Sequence, residues 1–113
     1  MTEKQIQEKI KYIQDFQTAI NGKWKLSIII SINHGKRRFT DIQANIPKIT
    51  NRVLSKELKD LEANQMITRT VYDTNPVSIE YKVTAYCLTI RPVIEMMTEW
   101  GKTHRKKISG KAV

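Results

Sequence analysis

The chain has 113 residues, a formal net charge of +9, and 40% hydrophobic residues. This length fits one domain, spanning 1–113, with a modest hydrophobic core. The positive charge favours a polyanionic partner, either a nucleic acid or an anionic membrane surface, and does not choose between them. The longest apolar run, residues 26–32, is too short to span a bilayer, and the polar N-terminus is not a secretory signal.

Residues with reactive side chains are few and scattered. Cys87 is the only cysteine, which excludes a disulfide within the chain and fits a reducing compartment. No nucleophile–base pair, glycine-rich phosphate loop or zinc-like spacing is present. We therefore expect a soluble, cytoplasmic protein that is not an enzyme, has no membrane segment and needs no cofactor or metal. Cys87 is expected to serve as a small buried hydrophobic residue.

Residues 3–20 are predicted to form an amphipathic helix, because apolar residues recur at spacings of three and four. These residues are Ile6, Ile10, Ile13, Phe16 and Ile20. Asn21-Gly22 ends the pattern. Being terminal, this helix could pack on its own domain or on a partner subunit.

The next two segments are predicted to be helices near 23–34 and 40–46. The first contains an isoleucine run with strand-like propensity, and the spacing of its apolar residues alone does not decide between a helix and a strand. We interpret it as a buried helix, because the segment that follows needs a supporting helix. Thr40 is a good N-cap for the second helix, and Pro47 disfavours its continuation.

The chain is organised around a predicted helix at 50–63 with two unlike faces. Thr50 can cap its start. The apolar stripe consists of Ile49, Val53, Leu54, Leu58 and Leu61; the outward face consists of Asn51, Arg52, Ser55, Lys56 and Lys59. A helix in the DNA major groove needs such a mixture, since Asn and Arg can bind base edges and Lys can bind phosphates. The alternative is a solvated helix with ordinary surface charge.

Strand patterning begins after this helix and covers residues 66–83. The segment 66–72 is rich in β-branched residues, and 78–83 alternates between apolar and polar residues. Turn-forming residues at 73–77 lie between them. A hairpin that directly follows a helix-turn-helix at about 40–63 is typical of a wing. The alternative is a hairpin that only covers the core.

A long last helix is predicted at about 85–106, capped by Thr84, with Pro92 marking a kink or a break. Its apolar arc is wider than one small domain needs, which predicts a dimer interface shared with the first helix. The expected interface residues are Ile6, Ile10, Ile13, Ile90, Met97 and Trp100. The charge run that follows is expected to be solvated and frayed: Lys102, Arg105, Lys106, Lys107 and Lys111.

Several segments in this order resemble the HxlR-type family of bacterial transcriptional regulators, relatives in fold of the MarR-like winged-helix proteins. They are Gly22-Lys23-Trp24, residues 35–42, residues 49–61, residues 76–84 and Glu99-Trp100-Gly101. The resemblance implies a mostly helical α+β winged helix-turn-helix protein with N- and C-terminal dimerisation helices. It also implies a dimeric regulator of transcription. Many family members carry a cysteine shortly before the Gly-Lys-Trp segment, whereas residues 1–22 here contain none.

The expected partner is double-stranded DNA, bound by a homodimer at a palindromic operator; an unidentified small-molecule effector is left open. Residues expected to contact bases are Asn51, Arg52, Ser55 and Lys56. Residues expected to contact the DNA backbone are Lys36, Arg37, Thr50, Lys59, Arg69, Thr74 and Asn75. The second hypothesis is a basic dimeric interaction module that binds an acidic protein or an anionic membrane surface. Binding to duplex DNA at several salt concentrations discriminates between the two.

Overall fold

The computed structural model describes residues 1–110, which form six helices and one two-stranded sheet. The elements are α1 (Glu3–Ile20), α2 (Lys25–Asn33), α3 (Phe39–Asn45), α4 (Asn51–Ala63), β1 (Ile67–Tyr72), β2 (Ser78–Val83), α5 (Ala85–Leu88) and α6 (Arg91–Ser109). The mostly helical α+β class with a hairpin wing is confirmed. The first four helices and the hairpin begin and end within a few residues of their predicted bounds.

The last helical segment differs from its prediction, because it is two helices rather than one. Thr84 Oγ1 accepts a hydrogen bond from the Cys87 N–H at 2.9 Å and starts the short α5. Pro92 lies in the first turn of α6, where its missing N–H leaves no helical hydrogen bond unmade. α6 then continues to Ser109, so the predicted frayed tail is helical as far as that residue, while Lys111 lies outside the described residues.

The hydrophobic core lies among α2, α3, α4 and the hairpin. Its fully buried side chains are Ile28, Ile32, Ile42, Leu54, Leu61, Ile67 and Cys87. The predicted apolar stripe of α4 faces this core, with Leu54, Leu58 and Leu61 buried and Val53 half-buried. The isoleucine run forms the helix α2, because three of its isoleucines face the core at helical spacing and Ile30 faces solvent.

A five-residue turn connects α3 to α4 and sets the start of α4. Lys48 adopts a left-handed conformation in this turn, with φ of 69°. Thr50 Oγ1 then accepts a hydrogen bond from the Val53 N–H at 3.2 Å, which is the predicted N-cap. At the C-terminal end of α3, Asn45 Nδ2 donates to Ser31 Oγ at 2.8 Å and ties α3 to α2. Hydrogen bonds therefore fix the C-terminal end of α3 and the N-terminal end of α4, on the two sides of the turn.

The hairpin pairs Ile67 with Val83 at its base and Tyr72 with Ser78 near its tip, in antiparallel register. Side chains alternate between the two faces of a strand. The pair Ile67 and Val83 therefore lies on the same face as the pair two residues further along, Arg69 and Tyr81. This face is directed at the core, where Tyr81 is buried. The Tyr81 N–H also donates to the Arg37 carbonyl at 2.8 Å, so the segment before α3 lies along β2.

Candidate nucleic-acid interface

The outward face of α4 carries the side chains that the sequence assigned to DNA bases. Asn51, Arg52 and Lys56 are exposed, and Ser55 is half-buried. The first turn of α4 contains no acidic residue. The helix therefore presents its capped N-terminal end with amide, guanidinium and hydroxyl groups, and no carboxylate competes there with a bound anion.

Lys56 is less free than the sequence suggested. Its Nζ lies 3.0 Å from Asp60 Oδ2, one helical turn further on, and 3.8 Å from Glu57 Oε1. The hydrogen bond with Asp60 raises the pKa of Lys56 and lowers the pKa of Asp60. In the free protein, Lys56 is thus one member of an ion pair on the surface of its own helix.

A buried ion pair lies behind that surface pair and joins α2 to α4. Lys25 Nζ lies 2.7 Å from Glu57 Oε2, and these two side chains are only 9% and 12% exposed. Lys25 Nζ also lies 3.5 Å from Asp60 Oδ2. Sequence reasoning missed both Lys25 and Glu57. The available signal was Glu57 itself, since an acidic side chain on the apolar stripe of a helix needs a buried partner.

A cleft of about 310 Å³ separates α4 from β1. It is lined by Ser55, Leu58, Lys59, Glu62, Arg69 and Tyr81. The cleft brings together Lys59 and Arg69, which the sequence had placed separately on the helix and on the hairpin. Its two cations and the Ser55 hydroxyl outnumber its one carboxylate, that of Glu62, so the cleft suits an anionic oxygen, such as that of a phosphate group.

The remaining positions assigned to the DNA backbone lie at the hairpin tip and before α3. Thr74 and Asn75 are exposed, and Thr74 Oγ1 donates to the Pro76 carbonyl at 2.7 Å within the tip. The sequence from 70 to 81 contains no Lys or Arg. Lys36 and Arg37 are exposed beside β2. The positive charge of the hairpin is therefore concentrated at its base rather than at its tip.

The two terminal helices expose most of the apolar side chains assigned to a dimer interface. Ile6, Ile10 and Ile13 on α1, and Met97 and Trp100 on α6, are all exposed, with Trp100 at 67%. Trp100 stacks on His104, with ring centroids 4.9 Å apart. Ile90 is different, because it is buried in the core of the single chain. The break between α5 and α6 gives Ile90 this inward position.

Cys87 is 1% exposed, and burial raises the pKa of its thiol. We expect the native protein to resist alkylation by iodoacetamide at neutral pH, because little thiolate forms and the sulfur is covered. Cys87→Ala should lower the free energy of unfolding by about 1 kcal/mol, since it removes one buried heavy atom. Thiol titration of native and urea-unfolded protein, followed by denaturant melts, checks both. Fast alkylation of the native protein would contradict the expectation.

No helix within residues 1–110 combines the length and the apolar composition needed to cross a membrane. Over the same residues, no three His, Cys, Asp or Glu side chains are grouped so that they could hold a metal ion.

Comparison with known proteins links these features to helix-turn-helix regulators. The HxlR-like helix-turn-helix family matches residues 19–109. The uncharacterised HTH-type transcriptional regulator YtcD of Bacillus subtilis (strain 168) is 33% identical over 106 residues, covering 91% of this chain and 84% of that protein.

Solved structures of similar proteins share the fold over most of the chain. The redox regulator HypR in its reduced form superimposes with a TM-score of 0.79 and 32% identity, covering 88% of this chain and 98% of that one. A transcriptional regulator described as MarR family, from Enterococcus faecalis V583, gives a TM-score of 0.75 with 27% identity, covering 98% of this chain and 96% of that one.

Proposed function

Since this chain belongs to the HxlR-like helix-turn-helix family, we propose that it is a transcriptional regulator whose homodimer binds an operator in double-stranded DNA. The sequence resemblance to this family is confirmed. The observation that carries the proposal is the capped, acid-free N-terminal end of α4, with exposed Asn51 and Arg52. An α-helix fits the B-DNA major groove, where bases present distinct hydrogen-bonding edges.

The side chains of α4 divide into two roles by position. Asn51, Arg52 and Ser55 lie near the N-terminal end, the part of a recognition helix that contacts bases. Asn pairs well with adenine and Arg with guanine, each through two hydrogen bonds. Lys56 lies one turn further along and completes this group.

Phosphate contacts are assigned to the residues around this group. Lys59 and Arg69 line the same cleft between α4 and β1, and we assign one phosphate contact to this pair. Thr50 lies at the start of α4, Lys36 and Arg37 lie beside β2, and Thr74 and Asn75 form the hairpin tip. The net charge of +9 supports a phosphate-driven component of binding.

We propose the dimer because the two terminal helices bury few residues against the rest of the chain. Ile20 is the only buried residue of α1, and α6 has none. Both helices nevertheless expose a stripe of large apolar side chains, including Ile10 and Trp100. Helices in proteins are stabilised mainly by packing of an apolar face, so a second copy that covers both stripes accounts for them.

Two other interpretations receive less support. The curated relative and the solved structures described above are regulators, and nothing in the comparisons favours a module for acidic proteins or membranes. HypR is described as a redox regulator. We do not extend redox sensing to this chain, because its one cysteine is the buried Cys87.

Selection of bound fragments from a random duplex library tests the proposal. We expect enrichment of an inverted repeat whose half-sites lie about one helical turn apart, because a two-fold dimer places its two recognition helices at that spacing. Two chains should bind per enriched duplex, measured by stoichiometric titration. A library that shows no enrichment after repeated rounds, although the protein is folded, would contradict sequence-specific binding.

A further inference from the structure

One carboxylate, that of Asp60, lies between a buried lysine and a lysine of the DNA-facing surface. Asp60 Oδ2 is 3.5 Å from Lys25 Nζ on α2 and 3.0 Å from Lys56 Nζ on its own helix. Lys25 is in turn fixed by its 2.7 Å contact with Glu57 Oε2. A chain of charges thus runs from the core to the outward face of α4.

This arrangement controls the direction of the Lys56 side chain. Long side chains on a helix normally point toward its N-terminus. Asp60 lies one turn C-terminal to Lys56, so the ion pair directs the ammonium away from the N-terminal end that faces the bases. It also neutralises the charge that Lys56 would otherwise offer to any nearby phosphate.

The buried lysine keeps Asp60 in this position. Lys25 is 9% exposed and is held by Glu57, so it gives Asp60 a fixed second partner that solvent cannot easily replace. Glu62 on the same helix differs, because it forms no ion pair with any residue in the described part of the chain. Glu57 Oε1 also lies 3.8 Å from Lys56 Nζ, but Glu57 is held by Lys25, so the 3.0 Å contact with Asp60 is the main restraint on Lys56.

We propose that Asp60 is a specificity-determining residue, which holds Lys56 away from phosphates and so suppresses binding to DNA of arbitrary sequence. The proposal rests on the DNA-binding function proposed above. Free of Asp60, Lys56 adds one sequence-independent phosphate contact per chain. With Asp60 present, Lys56 leaves the ion pair only where a correctly placed base acceptor offers a better partner.

The test compares Asp60→Asn with Glu8→Gln, because both remove one negative charge from the chain and the exposed Glu8 on α1 is outside the residues assigned to DNA. Each is placed in the parent and in a Lys56→Ala background, and binding to a random-sequence duplex and to the selected operator is measured across salt concentrations. Asp60→Asn should bind the random duplex about two- to fivefold more tightly. Its log–log salt slope should steepen by about 0.9 per chain, the value for one more neutralised phosphate.

The slope change should vanish in the Lys56→Ala background and should be absent in Glu8→Gln. Discrimination between operator and random duplex should fall in Asp60→Asn only. Equal slopes for Asp60→Asn and Glu8→Gln, or a steepening that survives Lys56→Ala, would overturn the inference while leaving the DNA-binding function intact. If the parent bound no duplex, both proposals would fall. Asp60→Ala serves as a second variant, and circular dichroism melts check that each variant is folded.

Discussion

Replacing Lys25 with methionine is expected to lower the free energy of unfolding by about 3–5 kcal/mol. The substitution keeps the length of the side chain but leaves Glu57 without its 2.7 Å partner, in a position where its side chain is 12% exposed. A buried carboxylate with no compensating charge loses its hydration and gains nothing in return. Urea unfolding at one fixed protein concentration measures the change, since the stability of the proposed dimer would depend on concentration.

A double variant separates the loss of the charge pair from the loss of packing. Lys25→Met combined with Glu57→Leu replaces both partners by apolar side chains, which is often neutral or stabilising. We therefore expect the double variant to recover most of the lost stability. An unfolding midpoint for Lys25→Met equal to that of the parent would show that this ion pair does not hold α4 against α2.

Placing a charge on the apolar stripe of α1 is expected to dissociate the proposed dimer. Ile10 is 51% exposed in the single chain and lies in the middle of that stripe. A glutamate there would be buried without a partner in the proposed dimer, so Ile10→Glu should raise the dimer dissociation constant by at least about a hundredfold. Sedimentation over a range of concentrations measures this constant.

Lys11→Gln is the matched control, because it changes the net charge by the same amount on the next residue of α1, away from the stripe. It should leave the dissociation constant close to that of the parent. If Ile10→Glu sedimented as the parent dimer does, α1 would not be part of the interface. A parent protein that stayed monomeric at high concentration would contradict the dimer itself.

Elements with a local signature were predictable from the sequence. α4 is the clearest case, because its cap at Thr50 and its stripe of Leu54, Leu58 and Leu61 are set by residues within one helix. The break near Pro92 was recognised as an alternative, but a continuous helix was still predicted. Proline is equally compatible with a kink and with the first turn of a new helix, so the residue type alone did not decide.

Features that depend on distant residues could not be predicted in the same way. Lys25 and Glu57 are 32 residues apart, and only the packing of α2 against α4 brings them together. The cleft shared by Lys59 and Arg69 depends on the register of the hairpin. A slip of one residue would move the Arg69 side chain to the opposite face of the sheet. The side-chain types assigned to DNA contacts could be read from the sequence. Which of them lie next to one another on the surface depends on the tertiary structure.

The central claim, that α4 contacts DNA bases while its flank contacts phosphates, is tested most directly by a salt titration of two variants on selected and scrambled duplexes. Arg52→Ala should lose about 1–3 kcal/mol on the selected duplex and little on the scrambled one. Lys59→Ala should weaken binding to both, with a salt slope shallower by about one unit per chain. If both variants bound every duplex as the parent does, α4 would not be the recognition helix.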